Sequence, residues 1–311
     1  MKTPGARRSM LDRARVIQAL SRITDELFID YSNEYERACQ AWKKLTKDPL
    51  IHAKVQKAKC SWLIPSWKGE VDKVFDIVAQ QNSYKVAAVD GSQIYPDRHY
   101  GAQCFLINIG IIALDYSGLS KPTQLYSIPQ VYTTERPNSV DNVTSTDVVD
   151  CKRQELEFRA GLKFIEGYNT ASLGFPSVLL FDGSLIFWHL ESYAHEVKSH
   201  YLKLYFEILQ RLCQLNAIVV SYISLPKSKE LINIVRLFLC NFDQESYNDM
   251  CSVDHLVDSS LVKFFLKEGQ RTTVFKNQSR ISLLYPEKIS PYFFYLNVGD
   301  EVARVEVPAW V

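Results

Sequence analysis

The stretch Lys85–Gly101, KVAAVDGSQIYPDRHYG, sets four apolar residues, Val86 to Val89, directly before Asp90, Gly91 and Ser92. The pattern returns in Ser177–Trp188, SVLLFDGSLIFW, where an apolar run ends in Asp182, Gly183 and Ser184. A short apolar run bounded by turn formers reads as a buried strand. Each stretch therefore carries a carboxylate to the lip of the core.

Around these two runs the elements fall into an order. The β-prone stretch Gly101–Tyr116 predicts two consecutive strands in a meander with the first, and Ser117–Val143 predicts mostly loop with one edge strand. Thr146 or Asp147 caps a helix running to about Gly167, with Val148, Val149, Leu156, Phe158 and Leu162 on its buried side. A strand at Ser177–Phe181 follows, then a long helix from about Phe187 to Leu215 and a strand at Ala217–Ser224. Helices at Ser228–Leu239 and Asp254–Lys267 lead to a β-rich end containing PYFFYLNV and EVARVEV. Three strands, a helix, a strand, a helix and a further strand is the order of an RNase H-like α/β domain, a mixed sheet flanked by helices. Upstream, Ser9–Lys59 has helical periodicity and predicts two or three helices, with a short helix at Glu70–Gln80. The expected division is a basic helical region over 1–80 and the α/β domain over 81–311.

The totals agree with a globular chain. Its 311 residues are 47% hydrophobic, enough for a sizeable core. The longest apolar run, Cys104 to Leu114, is too short for a bilayer, and the N-terminus lacks the apolar core of a secretory signal. The expected setting is cytoplasmic, with no membrane partner. Seven cysteines without a C-x-x-C pair predict reduced thiols, neither a disulfide framework nor a zinc ribbon. With no export signal, the sequons at Asn142 and Asn277 are read as chance matches. Net charge is +1, but residues 1–68 hold fourteen Lys and Arg against seven Asp and Glu. A basic arm on a nearly neutral body suits a phosphate backbone or an acidic protein partner.

The acids suggest chemistry. In an RNase H-like sheet the first strand lies beside the fourth, which brings Asp90 and Asp182 together, and the helix bearing Arg153, Glu155 and Glu157 can lower a third carboxylate onto the pair. Clustered carboxylates repel unless cations are present. Oxygen-only ligands select hard ions, Mg²⁺ or Mn²⁺, and two ions about 4 Å apart can activate water and stabilise the leaving oxygen in phosphodiester hydrolysis. Glycine after each Asp lets the backbone turn and leaves room for metal or phosphate, and Ser92 and Ser184 can donate to phosphate oxygens. Glu155 and Glu157 lie about 200° apart on a helix, so only one can face the metals. The competing view of each D-G-S, a plain turn after a strand, is weakened by the second copy and the acidic helix between them.

Other chemistries are excluded. His195, Glu196 and His200 have the spacing H-E-x-x-x-H, and residues five apart on a helix diverge by about 140°, too far to clamp one zinc. No Walker A or G-x-S-x-G motif occurs. The run Tyr292 to Tyr295 offers aromatic faces for bases, although strand alternation buries about half of it.

Taken in order, VAAVDGSQIYPDRHYGAQCFLINIG, CKRQELEFRAG, VLLFDGSL, SYISLPKS, LKEGQRTTVF and YLNVGDEVARVEVPAW resemble the NurA nuclease family over roughly residues 84 to 311. The resemblance implies an RNase H-like fold and Mn²⁺-dependent DNA cleavage, 5′ to 3′ exonucleolytic and endonucleolytic on single strands. It also implies a homodimer and a complex with a hexameric HerA-type translocating ATPase in end resection. Carried over to this sequence, Asp90 and Asp182 match strand metal ligands, and Glu157, four residues after Arg153, matches the helix acid, with Glu155 as the fallback. Arg98 or His99, and less specifically Lys227, are the candidates for holding phosphate. Family members continue past P-A-W into a tail whose Tyr-Pro and Ala-His contribute to the metal site, and no such pair occurs near Val311; the expectation is that this part of the site is missing. Two alternatives follow: a weakly catalytic adaptor docking on the ATPase, and an RNase H-like nuclease acting on RNA or hybrids.

Overall fold

A computed structural model describes residues 12–23, 30–78, 83–96, 104–116, 118, 123–133, 146–167, 176–248 and 252–311. Its strands are β1 (Ser66–Trp67), β2 (Val74–Asp76), β3 (Lys85–Ile94), β4 (Cys104–Asp115), β5 (Gln124–Thr133), β6 (Ser177–Asp182), β7 (Ile218–Ile223), β8 (Gln270–Thr272), β9 (Phe275–Lys276), β10 (Pro291–Asn297) and β11 (Val302–Pro308). The helices are α1 (Arg13–Arg22), α2 (Ser32–Leu45), α3 (Ile51–Lys57), α4 (Thr146–Gly167), α5 (His195–Gln214), α6 (Glu230–Leu239) and α7 (Asp258–Val262). All eleven strands join one sheet in the order β1-β9-β10-β11-β7-β6-β3-β4-β5, with β8 pairing β2 and β10. Strands β3, β4 and β5 form an antiparallel meander, while β6 and β7 lie parallel to β3. That is the expected RNase H-like order, extended on the β7 side by β11 and its neighbours.

Strand alternation decides where the core sits. On β3, Ala87 and Val89 are buried, while Val86 and Ala88 are half-buried and Asp90 is exposed. The buried set faces α4: Phe158 of α4 lies 4.3 Å from Phe181 of β6, ring centre to ring centre, and a Cβ at Gly161 would stand 2.8 Å from a Leu179 methyl. Ala87, Val89, Leu179 and Val219 pack there with α4 and α5. Farther along, Phe275, Phe293, Tyr295 and Val302 pack with α2, α6 and α7. These helices share one face of the sheet, called the helix face below. The opposite, open face carries Val86, Ala88, Leu180, Val220 and Tyr222 only half-buried, with Ile112 and Leu125 exposed. β5 forms the outer edge and carries Pro129 near its middle.

The buried strand β11 holds charges as well as apolar side chains. Arg304 donates from Nη1 to Glu230 Oε1 and from Nε to Glu306 Oε1, both at 2.8 Å, and its guanidinium lies 3.7 Å from the Phe293 ring centre. Glu306 Oε2 also accepts from the Ser184 hydroxyl and the Leu185 N–H at 2.8 Å. Asp258 caps α6 through the Leu231 and Ile232 N–H groups and accepts from the Tyr295 hydroxyl. Burial and the nearby Glu230 push its carboxyl up.

Several expectations are corrected. Gly101–Tyr116 holds one long strand, β4, because Ile107, Ile109, Ile111 and Ala113 keep an unbroken buried alternation. Where a helix was expected at Glu70–Gln80, the described residues form a turn and the short strand β2, which gains its hydrogen bonds from β8. β1 pairs β9 in the same way, so the region before residue 80 contributes strands to the sheet as well as helices. The expected helix at Phe187–Leu215 is a 3₁₀ turn, Trp188–Ser192, followed by α5. The helix expected at Asp254–Lys267 contracts to α7. Six cysteines among the described residues are free. Among the described residues no helix is long and apolar enough to cross a membrane.

Candidate functional site

The two aspartates lie on neighbouring parallel strands: Asp182 ends β6, whereas Asp90 sits inside β3, which continues to Ile94 rather than ending at the acid as expected. β3 and β6 are in register through Val89↔Phe181, and Asp90 and Asp182 each follow that pair by one residue, on the open face with Ala88 and Leu180. Both line one cavity of about 740 Å³, together with Ser92, Asn108, Gly110, Tyr126 and Tyr222. Opposite Asp90, β4 places Gly110, where a side chain would otherwise fill the cavity floor. Tyr222, the Cα partner of Asp182 on β7, is held by Glu301: its hydroxyl donates to Glu301 Oε1 at 2.7 Å.

Glu157 reaches β3 from the helix face, at Gly91. A Cβ at that position would stand 2.5 Å from Glu157 Oε1 and 2.8 Å from Arg153 Cγ. The two glycines thus have different tasks. β3 runs straight through Gly91 to Ile94, so this glycine makes no turn and instead admits the carboxylate against the backbone. Gly183, at φ +93°, does make the turn expected after its strand. Gly91→Ala is accordingly expected to destabilise the fold by about 1–3 kcal/mol by overpacking, and to displace Glu157. Urea unfolding would measure the first effect and divalent-cation titration the second.

Burial pushes the Glu157 carboxyl up to about 7; the Arg153 ion pair opposes this shift and the Asp90 charge adds to it. In the unfolded chain the group releases its proton near 4.5, whereas the fold retains it to about 7. Between these values the native state binds more protons, so its stability falls as pH rises. Glu157→Gln should remove this share of the decline, on the order of 3 kcal/mol between pH 4.5 and 8. Denaturant midpoints of metal-free protein at both pH values test it.

Glu155, the fallback acid, is buried away from β3. Burial pushes its carboxyl up, but Arg159 at 2.6 Å and Lys152 at 2.9 Å more than offset this and hold it low. Ser92 lines the aspartate cavity. Ser184 and Lys227 line a different cavity of about 480 Å³ with Trp188 and Arg304, because the turn at Gly183 sends Ser184 to Glu306. Arg98 and His99 lie outside the described residues. Tyr222, Asn108 and Tyr126 were missed by motif reading, and only strand alternation from Asp182 and Asp90 across the sheet could have found them.

Asp90 and Asp182 offer carboxylate oxygen suited to a hard divalent cation, and among the described residues no thiolate or imidazole lines their cavity, whereas Glu157 does not line it and lies on the helix face. Among the described residues no three His, Cys, Asp or Glu side chains converge as a ready-made cage. Glu157 stands behind Gly91 with Arg153 donating to its Oε1.

No curated protein sequence matches the chain. Among solved structures, NurA with manganese shares 10% identity, covering 93% of this chain and 87% of that one at a TM-score of 0.38. NurA bound to dAMP and manganese shares 12%, covering 96% and 87% at 0.32. RuvC of Thermus thermophilus shares 11%, covering 58% and 87% at 0.21. The NurA domain model matches residues 84–311, which include both aspartates, α4 and the whole of β3 to β11. The chain belongs to the NurA family, as the run of motifs from VAAVDGS to VEVPAW had implied.

Proposed function

We propose that this member of a nuclease family is a divalent-metal-dependent DNA nuclease, with Asp90, Asp182 and Glu157 as metal ligands. The observation that carries the reading is that Asp90 and Asp182, each one residue past the Val89↔Phe181 pair of adjacent parallel strands, line one open cavity. The NurA structures with manganese and with dAMP support Mn²⁺ as the ion and a nucleotide as the bound group. Bound there, Mn²⁺ or Mg²⁺, as two ions, would lower the pKa of water and neutralise charge on the phosphate.

The chain's own residues do the rest. Asp90, inside β3, and Asp182, at the end of β6, would hold the cation from two rigid strands, so little reorganisation would be needed. Glu157 meets β3 from the helix face, so it would add a third carboxylate only by giving up its Arg153 partner, and the freed guanidinium would then be available to a phosphate as a bidentate donor. Ser92, on the open face beside Asp90, donates to a non-bridging phosphate oxygen, and Tyr222 offers a ring for the adjacent base. Cleavage with 5′ to 3′ polarity, endonucleolytic cutting of single strands, a homodimer in the cytoplasm and work beside a HerA-type ATPase in break repair belong to this proposal on the family relationship. Linear and circular single-stranded DNA incubated with Mn²⁺, with and without chelator, test it. Chelator-sensitive cleavage is expected, and a folded, Mn²⁺-loaded protein that cuts neither DNA nor RNA would support the adaptor alternative instead.

A further inference from the structure

The open face carries a second concave site. Where β1, β8 and β9 meet β10, a cavity of about 540 Å³ is lined by His52, Lys68, Arg271, Lys276 and Tyr292, with Trp67 and Phe75 in its wall. Among the described residues its lining includes Lys68, Arg271 and Lys276 but no carboxylate. Aromatic rings steady two of these cations. Arg271 lies 4.3 Å from the Phe75 ring centre and 5.4 Å from that of Phe294, and Lys276 lies 5.7 Å from that of Tyr292. Trp67 itself pairs with Phe275 and packs into the helix-face core. A wall rich in cations and donors suits phosphate oxygens.

Strand register ties this cavity to the acids. Phe294 pairs with Val305, Val305 with Tyr222, and Tyr222 with Asp182. Cross-strand partners share a face, so this row runs along the open face from beneath Arg271 to the aspartates. It crosses three strand spacings, about 14 Å. Lys276 and Arg271 reach the same face through their partners Tyr292 and Leu296.

We infer that the basic cavity is a remote subsite for single-stranded nucleic acid, gripping phosphates of the strand whose scissile bond lies at Asp90 and Asp182, while bases rest on Tyr222 and Phe294. The inference rests on the nuclease reading. Charge favours a nucleic acid over a second copy of this chain, which would have to meet the three cations with acidic surface.

The test reads binding separately from cleavage. In full-length Asp90→Asn protein, fluorescence anisotropy follows a labelled oligonucleotide of about 12 nucleotides, within the 4–16 that such grooves span. Adding Lys68→Glu and Lys276→Glu should weaken binding on the order of tenfold or more. The slope of log affinity against log salt should fall by about 1.4, the value for two lost phosphate contacts on a single strand. Lys68→Arg with Lys276→Arg should keep the salt slope. Unchanged affinity and slope in the Glu variant, with its melting temperature preserved, would overturn the subsite. So would a change in sedimentation from oligomer to monomer, since the patch would then be a protein interface. If the parent chain cleaves nothing, the nuclease reading fails in its own assay and the binding result still stands.

Discussion

Asp90→Asn is expected to lower Mn²⁺-dependent cleavage of linear DNA on the order of a thousandfold while leaving the fold intact. Asparagine keeps the size and one oxygen of the side chain but removes the charge that holds the cation. A loss of about 4 kcal/mol of transition-state stabilisation corresponds to that factor. Asp90 is exposed at the rim, so the substitution disturbs no packing and the urea midpoint should stay put. Single-turnover rates at saturating metal are the measurement, and parental activity in the variant would remove Asp90 from the site. Asp182→Asn should behave alike, because the parallel register gives both residues the same place on the open face.

The largest effect on stability is expected at Arg304. Replacing it by Met leaves Glu230 and Glu306 as buried carboxylates without their cation, which costs about 3–5 kcal/mol. The loss should travel to the aspartate end of β6, because Glu306 anchors Ser184 and Leu185, the residues just past Asp182. Neutralising both acids alongside Arg304→Met should recover a large part of the stability, since a well-packed neutral replacement spares the charge burial. Urea unfolding of the single and triple variants checks this. Equal stability of parent and single variant would show that the ion network contributes nothing.

These cases mark where sequence reading succeeds. VAAVD and VLLFD were legible because strands buried among others need unbroken apolar runs, and the carboxylate that ends each run has no other way to reach water. α4 was legible from its apolar residues, Val148, Val149 and Phe158 among them, although Thr146 and Asp147, expected as its cap, lie inside the helix. The role of Gly91 was not, since it is set by how closely α4 approaches β3, a distance no local pattern encodes. Ser184 looked equivalent to Ser92 by motif, yet Gly183 takes a positive φ and turns Ser184 toward Glu306. EVARVEV read as a plain strand because sequence gives no sign that Glu230, on another helix, pairs with Arg304. β1 and β2 were hidden for a related reason: their two and three residues are strands only by virtue of β9 and β8.

The proline in β5 bears on how the molecule avoids open-ended stacking in a crowded solution. An outer strand with Leu125, Tyr126 and Val131 uncovered is a template for stacking one chain on the next into fibrils. Pro129 has no N–H to offer a newcomer, so the ladder of an added strand would break at its midpoint, and growth from that flank would stall.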